Sequence, residues 1–205
     1  MLKENGKSCR SSIAINALFL INLVSLNWGD NLSMERICAI FCLDEQTNEK
    51  IRSYRNALTV SYGIPRKEIY PHITLAHYVE VDTEEIINYS EKFVREIQAF
   101  SVQYDSIKAL SGNCVACIVN PNGRIIDLYN KYHAEFDSCC DIWTKKENGL
   151  WIPHSTIYGN SESNLEEMSM HLEKNFVPFQ GKVIRFELSQ INEDGFDIIF
   201  SKKLE

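Results

Sequence analysis

The chain has 205 residues, 44% hydrophobic and 24% charged, which is ordinary for a globular protein and enough for one sizeable domain. Its formal charge of −7 argues against a protein that tracks long nucleic acid by neutralising many phosphates. A small nucleotide or an RNA end needs only a few local cations and stays open. Seven cysteines, with Cys139 and Cys140 adjacent, give no paired disulfide framework and point to reduced, packed thiols in a cytoplasmic protein.

Residues 1–33 do not resemble the rest. Ile13 to Leu26 is an apolar run broken by Asn16 and Asn22 and preceded by Lys3, Lys7 and Arg10. It is too short for a comfortable membrane span, and no small-residue cleavage site follows it. The segment is read as an extension outside the folded domain, with no stable membrane insertion. A membrane-associated or packed N-terminal helix is the alternative. The domain itself is expected over residues 34–205, opening with a strand from Met34 through Leu43.

A helix is predicted from Glu45 to Tyr62, with Ile51, Tyr54, Leu58 and Tyr62 at three-to-four spacing and Gly63 and Pro65 ending it. A strand from His72 to Val79 follows, then a helix that starts acidic at Asp82 and runs to about Phe100. Val102 to Leu110 and Cys114 to Val119 read as a hairpin turning at Ser111-Gly112-Asn113. Cys114 and Cys117, three apart in a strand, face opposite sides and make no zinc site. Arg124 to about Cys139 reads as helix and Asp141 to Asn148 as a polar loop. Trp151 to Tyr158 is a strand, about Ser163 to Phe176 a helix, and a second hairpin turns at Asp194-Gly195.

Two stretches of this chain match. Pro71-His72-Ile73-Thr74-Leu75 returns as Pro153-His154-Ser155-Thr156-Ile157. Proline is about 5% of residues, so its presence before both histidines is informative. In a strand, residues two apart share a face, which sends His72 with Thr74, and His154 with Thr156, into one space. The separation from His72 to Gly112 equals that from His154 to Gly195 to within one residue, as an internal duplication would give. The expected fold is α+β: bilobal and duplicated, two mainly antiparallel sheets with outer helices around a central cleft lined by the two histidine strands.

These paired His-x-Thr/Ser motifs, their separation and the strand-helix-strand order resemble the 2H phosphoesterase superfamily. That superfamily includes bacterial RNA 2',3'-cyclic phosphodiesterases, also called 2'-5' RNA ligases. The resemblance covers roughly Met34 to Glu205. It implies His72 and His154 as an acid–base pair, Thr74 and Thr156 as a phosphate clamp, and a small nucleotide or RNA end as substrate. Two imidazoles near pKa 6.5 can divide proton removal and proton donation at neutral pH, and threonine hydroxyls can donate to non-bridging phosphate oxygens. The arrangement requires no metal and no cofactor. The expected activity is hydrolysis of 2',3'-cyclic or 2'-5'-linked phosphodiesters by a monomer, reversible as ligation. The alternative is a nucleotide-binding module without turnover. No protein partner is indicated.

Strict alternation places Tyr78 on the face of His72 and Tyr158 on that of His154, where either could stack on a nucleobase or pack at the rim. The same alternation leaves His77 on the opposite side, in a structural or surface role. His133 and His171 read as members of solvated helix faces. Arg36, Arg66, Lys67, Arg124, Lys145 and Lys146 are candidate substrate cations, most of them ordinary surface charges.

Overall fold

The computed structural model describes residues 36–65, 69–111, 114–121, 123–160, 163–192 and 195–205. Expectations for residues 1–33, Met34, Arg66 and Lys67 lie outside them. The elements are β1 (Arg36–Leu43), α1 (Glu45–Tyr62), β2 (His72–Tyr78), α2 (Thr83–Val94), β3 (Phe100–Leu110), β4 (Cys114–Val119), α3 (Gly123–Tyr132), β5 (His154–Gly159), α4 (Leu165–Glu173), β6 (Phe179–Asn192) and β7 (Gly195–Lys203). The fold is α+β, and among the described residues no helix is long and apolar enough to cross a membrane.

Local chemistry sets the helix ends. Asp44 caps α1 by accepting from Thr47 N at 3.1 Å, and Gly63, at φ 66°, closes it with its N–H on Thr59 O. Asp82 caps α2 and Asn164 caps α4 in the same manner. α3 stops at Tyr132, short of the expected Cys139, because Phe136 takes a left-handed conformation at φ 55° and a 3₁₀ turn over Asp137–Cys139 follows.

Two separate sheets were expected from the repeat, but the strands form one antiparallel sheet in the order β2-β1-β6-β3-β4-β5, with β7 also on β6. The length of β6 is the reason. Its first residues, Phe179 to Val183, pair with β3, and Val183 onward pairs with β1 on one side and β7 on the other. One face of this sheet is covered by helices. Phe93 of α2 and Tyr132 of α3 pack on Phe186 of β6, while α4 lies against β3 and β4 and α1 against β5. Core residues from both halves form a single apolar cluster running from Ile37 to Leu204.

β2 and β5 are the terminal strands of that order, and they come close to each other without a ladder between them. The outer edge of β2 is sealed further along, where Asp141 N donates to His77 O and Val79 N to Cys139 O.

Candidate functional site

His72 and His154 are the first residues of β2 and β5, each directly after its proline, and both are half-buried. Nδ1–H of His72 donates to Tyr70 O at 2.9 Å, and Nδ1–H of His154 donates to Ile152 O at 2.7 Å. A carbonyl only accepts, so in both rings Nδ1 carries the proton and Nε2 is the basic nitrogen of the neutral form. Proline at the intervening position favours the extended conformation of Tyr70 and Ile152 that aims those carbonyls back at the rings.

Both strands also carry a β-bulge at the residue after the threonine. Ala39 pairs with Ala76 and Ile40 with Thr74, leaving Leu75 as the extra residue; Val115 pairs with Tyr158 and Ala116 with Thr156, leaving Ile157. Cross-strand partners share a face. His72 and Thr74 therefore lie with Cys42 and Ile40 on the face away from the helices, and His154 and Thr156 with Ile118 and Ala116.

The bulges overturn the expectations that relied on unbroken alternation. Tyr78 pairs with Ile37 on the helix-covered face, is only 1% exposed and packs against Tyr132, so it has no face to offer a base. Tyr158 pairs with Val115 on the same covered side. There it lines a hollow with Arg55, Leu58, Ile64 and Pro65, its hydroxyl 3.2 Å from Ser163 Oγ. His77, expected on the opposite side, instead pairs with Cys38 and shares the face of His72 and Thr74. Its Nδ1–H donates to Asp141 Oδ2 at 2.9 Å. Burial pushes the Asp141 carboxyl up, but hydrogen bonds from His77 and Thr144 outweigh it and hold the group below its ordinary value.

Carbonyls at and beside the bulges are taken by side chains. Thr74 O accepts from Trp151 Nε1, Leu75 O from His133 Nε2 and Thr156 O from Arg55 Nη2, each at 2.9 Å. His133 is thus buried rather than solvated, its Nδ1 2.6 Å from Asp137 Oδ1. With Cys140 these two residues form a cluster whose ligand atoms lie within 4.8 Å and could hold a metal; neither motif histidine belongs to it. His171 is half-buried, 3.1 Å from Ser61 Oγ.

A carboxylate network missed in the sequence lies beside His72. Glu187, 2% exposed in β6, accepts from the Tyr70 hydroxyl, from Cys42 Sγ at 3.1 Å and from Ser201 Oγ at 3.3 Å, and pairs with Arg185 Nε at 2.6 Å. Cys42 is the cross-strand partner of both His72 and Arg185. Burial, then the Glu187 charge, pushes the Cys42 thiol up, and burial with the Glu187 hydrogen bond does the same to Tyr70. The available signal was a lone acid inside the alternating run Val183 to Ile191.

The candidate cations divide. Arg124 lies over the Phe100 ring and Lys145 pairs with Glu147 at 2.5 Å, while Lys146 contributes its backbone N–H to Asp137. Arg36 is exposed, at the end of β1 remote from the His72 pairing. Two other cations stand on the motif faces. Arg185 shares a row with Cys42 and His72, and Lys108 shares one with Ala116 and Thr156.

The family description "2'-5' RNA ligase superfamily" matches residues 43–195. A search of curated proteins found no match. Among solved structures, the chain is similar to TT0787 of Thermus thermophilus, with a TM-score of 0.59, 14% identity, and coverage of 82% of this chain and 97% of that one. It is also similar to E. coli LigT complexed with 3'-AMP, at TM-score 0.55 and 17% identity, and to LigT complexed with NADP+, at 0.55 and 18%. In both cases 83% of this chain and 98% of the other are covered. At such identities these likenesses speak to the fold, and the family rests on the match over residues 43–195: the chain belongs to the 2'-5' RNA ligase superfamily, within the phosphoesterase-type enzymes of the 2H group.

Proposed function

We propose that the chain is a metal-independent phosphodiesterase that opens 2',3'-cyclic or 2'-5'-linked phosphodiesters of nucleotides or RNA ends. The observation that carries this reading is the matched tautomer of His72 and His154, each held by Nδ1–H on the carbonyl two residues back.

In hydrolysis one neutral imidazole takes a proton from water through Nε2. The water oxygen bonds to phosphorus, the bond from phosphorus to the ribose oxygen breaks, and Nε2–H of the other, protonated, imidazole gives its proton to that oxygen. Each transfer contributes about 10²–10⁴-fold. The hydroxyls of Thr74 and Thr156 donate to the non-bridging oxygens as charge gathers on them. Lys108, on the face of the second motif, adds positive potential for an anionic substrate despite the negative net charge of the chain, while Arg185 is paired with Glu187. With a 5'-hydroxyl in place of water the same transfers give ligation: its oxygen bonds to the phosphorus of a 2',3'-cyclic phosphate, the P–O3' bond breaks, O3' takes the proton of the other imidazole, and a 2'-5' linkage remains. The bond cleaved assigns base and acid between the two histidines.

The test is a panel of 2',3'-cyclic mononucleotides and 2'-5'-linked dinucleotides incubated in EDTA, with product regiochemistry read by chromatography. Turnover abolished by either His72→Ala or His154→Ala supports the reading, whereas turnover that survives both changes sinks it. A second reading, nucleotide binding without turnover, is favoured by the LigT complex with NADP+, which is neither cyclic nor 2'-5'-linked. Calorimetric binding of a mononucleotide with no product formed would favour it.

A further inference from the structure

The two motifs stand on strands that no backbone ladder joins. Among the described residues, strand ladders connect β2 and β5 only by the long way round, across β1, β6, β3 and β4. Each strand junction on that route can flex, yet two-histidine chemistry needs both rings held to a fraction of an ångström, since a misplacement of about 1 Å can cost about 10²-fold.

Two side chains supply the short way across. Trp151, three residues before His154, donates Nε1–H to Thr74 O at 2.9 Å, reaching from the second motif to the first. Arg55 of α1 donates Nη2–H to Thr156 O at 2.9 Å and Nη1–H to Ile69 O, just ahead of Tyr70-Pro71-His72. Both ties end on the carbonyl of a motif threonine, next to its bulge. We propose that Arg55 and Trp151 are positioning residues that set the separation of His72 and His154 by bracing each motif's threonine carbonyl against the other motif. The proposal rests on the two-histidine reading of the site.

The surroundings of both residues fit the task. Trp151 stacks on Tyr129 at 3.9 Å and 5°, which fixes the direction of its N–H, and Tyr129 is itself anchored through its hydroxyl to Thr144 O at 2.8 Å. Arg55 is 5% exposed in the apolar stripe of α1 with Ile51, Tyr54 and Leu58. Among the described residues it has no carboxylate within ion-pair distance. A guanidinium buried on carbonyls alone, with Nε buried and without a partner, is a costly way to stabilise a helix. Burial, then the nearby Arg52, lowers its pKa to about 10, still high enough to keep it charged at neutral pH. Its planar fork reaches the two carbonyls from two nitrogens held at a fixed spacing, whereas the donors of a lysine all sit on one nitrogen.

The experiment compares wild type, Trp151→Phe, Arg55→Lys and Arg55→Ala. Steady-state kinetics use a 2',3'-cyclic mononucleotide, and melting temperature is measured alongside. Trp151→Phe leaves an aromatic ring to face Tyr129 and removes the N–H donor with part of the indole, and melting temperature reads the lost packing; kcat should fall about 10-fold or more with KM within about twofold. Arg55→Ala should lose more, and millimolar guanidinium should restore part of kcat, which a merely structural residue would not allow. The Trp151→Phe, Arg55→Lys double variant should lose less than the product of the single losses, because both ties set one gap. Unchanged kcat in folded Trp151→Phe and Arg55→Lys overturns the proposal; if Arg55→Ala fails to fold, those two variants decide. If wild type turns over nothing, the phosphodiesterase reading fails separately. Inorganic phosphate binding by calorimetry then carries the test: weaker binding by Trp151→Phe supports the brace, and equal or absent binding overturns it.

Discussion

At the scale of single residues, the candidate site is a set of imidazoles oriented by oxygen acceptors. His72 and His154 use main-chain carbonyls, while His77, on the same face as His72, uses the carboxylate of Asp141. Asp141 also accepts from Trp143 N, Thr144 N and Thr144 Oγ1, so one charge organises the turn that seals the edge of β2. Its pKa is depressed on folding, so its contribution is complete above the ordinary aspartate value near 3.9 and is lost as pH falls through the lower folded value. Asp141→Asn should therefore destabilise by about 1–3 kcal/mol at pH 7. Urea titrations should show the gap from wild type closing below about pH 4; a gap that persists there would mean that shape, not charge, is what the variant lost. The sequence made the two motif pairs legible because proline, histidine and threonine sit at fixed offsets. It hid His77 and both tyrosines, because one extra residue at Leu75 and one at Ile157 reverse the faces beyond them.

Among the described elements, β6 exchanges a neighbour partway along, pairing first with β3 and then with β7 while β1 takes its other side. α1 docks where this happens: Asp44 N donates to Lys182 O at 2.9 Å, and Lys182 N donates to Thr47 Oγ1 at 3.2 Å. Gly181 lies under that contact. A Cβ there would come within 2.8 Å of Thr47 Cγ2 and 2.9 Å of Tyr104 Cε2. Neither neighbour can yield easily, since Thr47 is hydrogen-bonded at the cap and Tyr104 is fully buried, stacked on Phe179 and bonded to Ser155 Oγ at 2.8 Å. Gly181→Ala should cost about 1–3 kcal/mol through overpacking, and the exposed neighbour change Lys182→Ala less than about 0.5. Equal denaturation midpoints for the two would show that the contact relaxes. Helix α1 could be read from its period and from the Gly63 and Pro65 that end it, but the role of Arg55 could not, because an arginine in an apolar stripe gives no sign in sequence that two carbonyls await it.

For the whole molecule, the question is whether a chain with two matching motifs, one in each half, unfolds in one step or two. The described residues extend past the length of about 150 at which two-state behaviour is the usual expectation, so cooperativity has to come from shared structure. Three features supply it. β6 runs through both parts of the sheet, so neither part keeps its ladder without the other. Phe41 of β1 packs edge-on against both Phe100 of β3 and Phe186 of β6, at 5.3 and 5.9 Å, joining residues on either side of the exchange point. α1 follows β1 in the chain yet lies on β5 at the far end of the strand order, so its helix cannot leave one half without uncovering the other. Scanning calorimetry should accordingly give one transition with matching calorimetric and van't Hoff enthalpies. Bound inorganic phosphate at about 100 times its Kd should raise the stability of that single transition by about 2.7 kcal/mol. Two resolved transitions, with phosphate moving only one of them, would mean that the halves fold separately and that the sheet continuity through β6 is too weak to couple them.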